Sequence, residues 1–396
     1  MRAAALAMLL CCSARAGAAE PPRPVAVPVL AVLAPTTGKQ AAIGKRVVDL
    51  VALAMAGSRM RVMVFDTAVS PAAAADAAVA AGASLVLGPV GARETAEVAQ
   101  ALAPTRLTML SLSGVAGGEK RPRRLRGRTA MSDEIEAICE RVSTMEGARI
   151  GLLAPEGLEG DEAAAALTGC LTARGIALQR WVRFAPAQRD FGRTVEALEQ
   201  GAARPQPPQR PSSGWPAPPR AGKVVASSGG RPTVLVAVAS SGQAAALLPA
   251  LAVRGWFDEP APLRIFGTGS WEGAEVATAA RYLGAVSVVE RCPWNDQREV
   301  ARDFADRFEE RFSEPPTRFD AEVFDAALMV EAGMRALPPG VAGPEAWTAA
   351  MLAQTDLEGV CGSLSWSAGG RLFHPLLLWS VDADGALFPR AASWDD

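Results

Sequence analysis

Short apolar runs alternate along this chain with longer segments in which apolar residues recur every three or four positions. The clearest stretch runs from Ala83 to Gly114, ASLVLGPVGARETAEVAQALAPTRLTMLSLSG. Its apolar run Leu85 to Leu87 ends at Gly88-Pro89-Val90-Gly91, a helical segment follows to Leu102, and a second run, Leu107 to Leu112, closes on Ser113-Gly114. Runs this short and this apolar predict strands buried on both faces, and a helix between them predicts a parallel crossover, so the stretch reads as one β-α-β unit. Ligands of open parallel sheets bind beyond the carboxyl ends of the strands, here Gly88 to Gly91 and Ser111 to Gly114.

The same alternation extends both ways. Strands are predicted at Val27 to Leu33 and Arg61 to Phe65, with helices at Ile43 to Ala56 and after Ser70-Pro71, a capping residue followed by a first-turn proline. Beyond Gly117 to Arg128 the pattern resumes, with Ser132-Asp133-Glu134 opening a helix to Met145. Strands then follow at Ile150 to Leu153, Ile176 to Phe184, Val234 to Val238, Leu263 to Phe266 and Ala285 to Val289, with helices at Asp161 to Ala173, Arg193 to Glu199 and Gln243 to Val253. Three helices, Glu299 to Phe312, Ala321 to Ala336 and Glu345 to Leu352, precede a terminal hairpin of Gly359 to Trp366 with Phe373 to Val381. The fold class is therefore α/β, two doubly wound parallel-sheet lobes. At 396 residues the chain exceeds one compact core.

Residues 202–232, rich in proline, glycine and serine, read as a disordered insertion. Residues 1–18 read as a secretory signal peptide, with Arg2, an apolar stretch and Ala16-Gly17-Ala18 at the cut. Cys11 or Cys12 as a lipid-carrying cysteine is the alternative, and either reading places the protein in the periplasm. Four cysteines remain, Cys139, Cys170, Cys292 and Cys361, and they allow three disulfide pairings. A Cys292 to Cys361 bridge is favoured over the others, with buried thiols at Cys139 and Cys170 as the alternative.

Charge and chemistry narrow the function. A net charge of −2 offers no field for nucleic acid. His374 is the one histidine and no serine sits in a GxSxG elbow, so a Ser-His-Asp hydrolase lacks its parts and no enzyme is expected. Clustered metal ligands are missing at the level of spacing, and no cofactor is expected. Gly38 to Arg46 imitates a phosphate loop, but its glycines stand too far apart and Arg46 replaces the magnesium-binding hydroxyl. The basic run Lys120 to Arg128 reads as a solvated loop and crossover strand, with a docking patch for an acidic partner as the sharper reading.

Val27 to Gly44, Ser84 to Gly91, Met109 to Gly114, Arg264 to Gly273 and Gly359 to Trp366 followed by Gly369-Gly370 resemble, in order, the landmarks of type I periplasmic solute-binding proteins. The branched-chain amino-acid receptors of ABC transporters are the nearest branch. The resemblance implies lobes joined by three crossovers, near Arg126 to Ser132, Val289 to Trp294 and Leu357 to Gly362. It implies an N-terminal lobe of 27–128 plus 295–356 and a C-terminal lobe of 129–294 plus 357–396. Where those receptors hold an amino acid, this chain carries Ala92, Val115, Ser240 or Ser241, and Gly269. The expected ligand-binding residues are Gly91, Ala92, Ser111, Ser113, Ser240, Ser241, Gly269, Ser270 and Trp271, with Trp271 and Trp294 facing the crevice. That lining suits an uncharged or weakly anionic polar ligand better than a zwitterion. The implied function is capture of a small-molecule ligand for the membrane permease of an ABC transporter. The loop Gly267 to Trp271 also resembles the C-terminal domain of penicillin-binding-protein activator lipoproteins, whose partner would be a peptidoglycan synthase.

Overall fold

The computed structural model describes residues 27–114, 123–199, 230–258, 262–271, 286–292, 298–338, 341, 343–374, 376–381 and 387–389. The leader, Lys120, Arg121, Trp294 and nearly all of the proline-rich insertion lie outside them.

The first sheet contains β1 (Val29–Ala34), β2 (Arg61–Asp66), β3 (Leu85–Leu87), β4 (Met109–Ser111) and β5 (Arg124–Arg126), in the order β2-β1-β3-β4-β5 and parallel throughout. Strand β1 shows why the sheet is covered on both faces. Leu30, Val32 and Ala34 enter one core with α1 (Ala41–Ala54), while Ala31 and Leu33 enter another with α2 (Pro71–Ala80) and α3 (Ala92–Ala101). Alternate residues of a strand point to opposite faces, so an unbroken apolar run needs a helical layer on each. Each fully buried Leu or Val contributes about 1.5–3 kcal/mol.

The second sheet repeats this winding. Strands β6 (Ile150–Pro155), β7 (Arg180–Phe184), β8 (Val234–Ala237), β9 (Arg264–Gly267) and β10 (Val286–Arg291) run parallel in the order β7-β6-β8-β9-β10. Helices α4 (Met131–Ser143) and α5 (Leu158–Ala173) cover one face, α6 (Gly192–Glu199) and α7 (Ser241–Val253) the other. The first turn of α4 differs from expectation: Ala130 is the cap residue, and the Asp133 carboxylate reaches back to its N–H at 2.9 Å. Cys139 on α4 is bonded to Cys170 on α5, so these two are not free thiols.

In both sheets the winding reverses beside the first strand, between β1 and β3 and between β6 and β8, and such reversals leave the crevices in which open α/β sheets bind ligands.

Helices α8 (Glu299–Phe312), α9 (Arg318–Ala336) and α10 (Pro344–Leu352) pack into the core of the first sheet, with Phe304, Phe308, Val330 and Trp347 buried beside Leu30 and Leu50. The terminal hairpin forms only in part. Strand β12 (Gly362–Trp366) pairs with β11 (Leu357–Gly359) and β13 (Leu372–Phe373), and all three stay with the first core through Val360, Cys361, Leu364 and Leu372. Only β14 (Leu376–Val381) and β15 (Leu387–Pro389) join the second sheet, β14 antiparallel to β10. The chain therefore returns to the second sheet after His374 rather than at Leu357 to Gly362. Apolar residues of 360–372 complete the first core, and the Cys292 to Cys361 disulfide holds them there.

One ion pair seats α9 on α1. Arg46 donates to both oxygens of Asp320 at 2.8 and 3.0 Å, and the Thr317 N–H and hydroxyl donate to Oδ2 at 2.7 and 2.6 Å. Burial works to raise the Asp320 pKa, but Arg46 and Thr317 together hold it below the ordinary 3.8. The stability it contributes is complete above about pH 4 and is lost as pH falls through the folded-state value. Asp320→Asn should therefore cost about 2 kcal/mol at neutral pH. The gap between the urea midpoints of variant and wild type should narrow as pH falls below about 4, and a gap that stays constant through acid unfolding would refute the role of the charge.

Candidate functional site

The residues expected to line the crevice from the first lobe form a hydroxyl chain on tight backbone. Gly88 follows β3 at φ 102°, and a Cβ there would stand 2.2 Å from the Leu33 carbonyl oxygen, so only glycine lets β3 turn this close to β1. Gly91 caps α3 and Ala92 is its first residue. The Gly91 carbonyl accepts from the Thr95 hydroxyl at 2.8 Å, and Thr95 lies 3.1 Å from the Ser111 hydroxyl at the end of β4. Ser111 in turn accepts from the Ser113 N–H at 3.1 Å. The structure thus gathers Gly91, Ala92, Ser111 and Ser113 at one strand edge, with both serines buried.

The second-lobe wall forms after β8 and β9. Ser240 caps α7 and exchanges hydrogen bonds with Gln243. Ser241 donates to the Ser270 carbonyl at 2.8 Å, Ser270 donates to the Ala239 carbonyl at 3.1 Å, and the Gly269 N–H donates to the Glu134 carboxylate at 2.6 Å. These four residues also come together.

Trp271 does not join them. Only 2% exposed, it packs in the core with Leu247, Leu251 and Ile265, and a Cβ on Gly267 would stand 2.3 Å from its ring. The bare Gly267 backbone makes room for the indole beneath the loop, so Trp271 supports the wall from behind instead of facing a ligand.

Where the first core meets the second sheet lies a set of ion pairs that sequence reasoning missed. Arg128 donates to Glu322 at 2.8 Å and to the Leu112 carbonyl at 3.2 Å, and the other Glu322 oxygen accepts from the Thr129 N–H. Arg318 on α9 reaches Glu290 on β10 at 2.5 Å, joining the first core to the second sheet. Burial lowers the Arg318 pKa against the pull of Glu134 and Glu322, and burial raises that of Glu290. Arg126, 1% exposed, donates to both oxygens of Asp133, which also receives Arg371. Two arginines of the basic run are therefore ion-pair partners, Arg126 buried and Arg128 half-buried, not solvated charges. The available signal was the opposite partner, acidic residues such as Glu322 and Asp325 on the apolar face of the 318–336 segment.

An open cleft of about 240 Å³ lies elsewhere, at the amino ends of β4 and β5, lined by Ala99, Leu102, Met109 and Arg124. Being at the opposite end of the strands, it is no part of the crevice.

Residues 29–386 match the family model described as periplasmic binding protein. No curated protein matches the chain in sequence. Solved structures do. One is a protein from Rhodospirillum rubrum assigned to branched-chain amino acid ABC transport, with TM-score 0.69 and 18% identity over 92% of this chain and 100% of that one. Another is an ABC transporter solute-binding protein from R. palustris in complex with 4-hydroxybenzoate, with TM-score 0.63 and 15% identity over 92% and 95%. A third is full-length LpoA from Haemophilus influenzae, with TM-score 0.60 and 16% identity over 93% of this chain and 60% of that one. At these identities the likeness is one of fold.

If Trp271 is a core residue, Trp271→Ala should cost about 3–5 kcal/mol of stability. Chemical denaturation reads this directly, and a loss below about 1 kcal/mol would return the indole to the surface of the crevice.

Proposed function

The chain belongs to the periplasmic binding protein family, and from that premise we propose that it captures a small polar ligand between its lobes for an ABC-type transporter. The observation that carries the reading is the pairing of two like windings. Each places hydroxyls and backbone N–H groups at the carboxyl ends of its strands, Gly91, Ala92, Ser111 and Ser113 on one side and Ser240, Ser241, Gly269 and Ser270 on the other. The family implies a periplasmic or extracellular location, which suits a leader cut after Ala18, and its members act by binding. Lipid attachment at Cys11 or Cys12 is the alternative anchor, distinguished by mass spectrometry of the mature N-terminus.

The ligand class follows from Glu134. Its carboxylate already occupies the Gly269 N–H, and a ligand carboxylate entering that position meets a like charge. An uncharged polar solute needs no such displacement. The 4-hydroxybenzoate named for the R. palustris structure is therefore expected to bind more weakly here than neutral solutes.

A second reading is favoured by the same observation. Ser240, Ser241, Ser270 and Gly269 all have partners inside the lobe, as in a surface that needs no small ligand. The chain would then be a regulatory contact protein resembling activators of peptidoglycan synthases.

Thermal denaturation of the mature protein against neutral and anionic solutes separates the two. A true ligand at a hundredfold its Kd adds about 2.7 kcal/mol of stability, and Ser111→Ala should weaken it about two- to tenfold. No stabilisation by any solute, together with direct binding to a peptidoglycan synthase, would replace the transport reading with the second one.

A further inference from the structure

Three metal-ligating side chains meet away from solvent where the chain leaves the first core. Asp325 on α9 and His374 just before β14 are 0% and 2% exposed, and the Cys361 sulfur completes a group whose donor atoms all lie within 4.8 Å of one another. The Asp325 oxygens accept the Val360 and Cys361 N–H groups at 2.7 and 2.9 Å, and Oδ2 stands 4.0 Å from His374 Nε2. Neither His374 nitrogen has a hydrogen-bond partner among the described residues. An imidazole buried without a partner costs free energy unless something else occupies its nitrogens. Spacing along the chain gives no hint of this cluster, because the fold draws its members from three separate elements.

Cys361 is bonded to Cys292, and a disulfide sulfur is a poor metal ligand. We propose that reduction of the Cys292 to Cys361 disulfide converts this cluster into a site for a zinc-like divalent cation, held by the Cys361 thiolate, His374 and Asp325. A dithiol reductant supplies two electrons and two protons and is itself oxidised to a disulfide, while the Cys292 to Cys361 bond breaks to give two thiols. The cation then displaces the Cys361 proton to solvent. Cysteine sulfur, imidazole nitrogen and carboxylate oxygen are the three zinc-binding donor types, and bonds of about 2.0–2.3 Å require the present donors to close by about 1 Å. The fourth position falls to the freed Cys292 thiol or to water.

Charge favours the assembly. One thiolate and one carboxylate neutralise a divalent cation, so the loaded cluster carries no net charge. Arg298 opposes it modestly: the guanidinium is bonded to the Gly359 and Val360 carbonyls, and its field reaches Asp325. Glu322 adds the opposite field. Because Cys292 follows β10 and His374 precedes β14, the disulfide and the metal are alternative clasps on the same two crossovers.

Cys292→Ser tests this without reductant, since it frees Cys361 while Cys139 and Cys170 remain bonded. Titrated with cobalt(II) alone, the folded variant should develop a sulfur-to-cobalt charge-transfer band saturating at one ion per chain and bleached by zinc. His374→Gln in that background should weaken binding at least about tenfold. A folded Cys292→Ser protein with no band, or a band that His374→Gln leaves unchanged, overturns the proposal. If Cys292→Ser does not fold, the phosphine-reduced chain carrying Cys139→Ala and Cys170→Ala replaces it. Zinc should raise its Tm only when Cys292 and Cys361 are reduced, and no rise overturns the proposal equally.

Discussion

A carboxylate withdrawn from water must find a partner, and α9 withdraws four of them: Asp320, Glu322, Asp325 and Glu331 are each less than a tenth exposed. Their partners come from different parts of the chain. Asp320 takes Arg46 of α1, Glu322 takes Arg128 and the Thr129 N–H of the first crossover, and Asp325 takes the Val360 and Cys361 N–H groups of the turn before β12. Glu331 takes Arg335 and the Ser58 hydroxyl. Removing one partner would leave an uncompensated charge in the core, so the position of each segment is fixed by the helix it must neutralise. Burial dominates at Asp325, whose pKa is raised to about 7 despite its two N–H donors. There the interior comes closest to refusing the charge.

The join between the lobes follows from that constraint. Arg128 is held by α9, and two residues before it Arg126 is held by Asp133 of α4, so the first crossover is clamped on both sides. Arg371 reaches the same Asp133 from the other end of the sequence, and the backbone of Arg126 is bridged to that of Arg371. The Cys292 to Cys361 disulfide ties the second crossover to the turn before the third. A ligand that rotates one lobe against the other must therefore work through a buried ionic network. Its partly exposed member, Arg318 with Glu290, is the one pair here that joins α9 to the second sheet.

The windings were legible because strand and helix periods differ and because β1 and β3 are apolar without interruption. Strand ends were legible too, which is why eight of the nine expected crevice residues fall into two local groups. Trp271 was misread because position after a strand does not tell which way a large side chain turns, and the deciding feature was a glycine four residues earlier. The hairpin formed only next to its turn, where Ser365 and Trp366 pair with Phe373 and Leu372. Alternation predicts strands but not their partners, and β14 pairs with β10 of the second sheet. The paired arginines were hidden by composition, since Arg126 and Arg128 sit in a run whose charge density reads as solvated until their acidic partners are placed.

Glu134 links this architecture to function. It stands in the first turn of α4, just past the clamped crossover, and its carboxylate reaches a backbone N–H after β9. The Gly269 N–H, a donor suited to a ligand's anionic group, is thus occupied by a side chain whose position depends on the hinge. Any movement of the crossover that shifts α4 changes whether that donor is free, and any ligand that takes the donor must displace a carboxylate already within the field of Arg318. A shift of α4 and the release of the Gly269 N–H are then one equilibrium, because the carboxylate that holds this donor stands beside the clamped crossover.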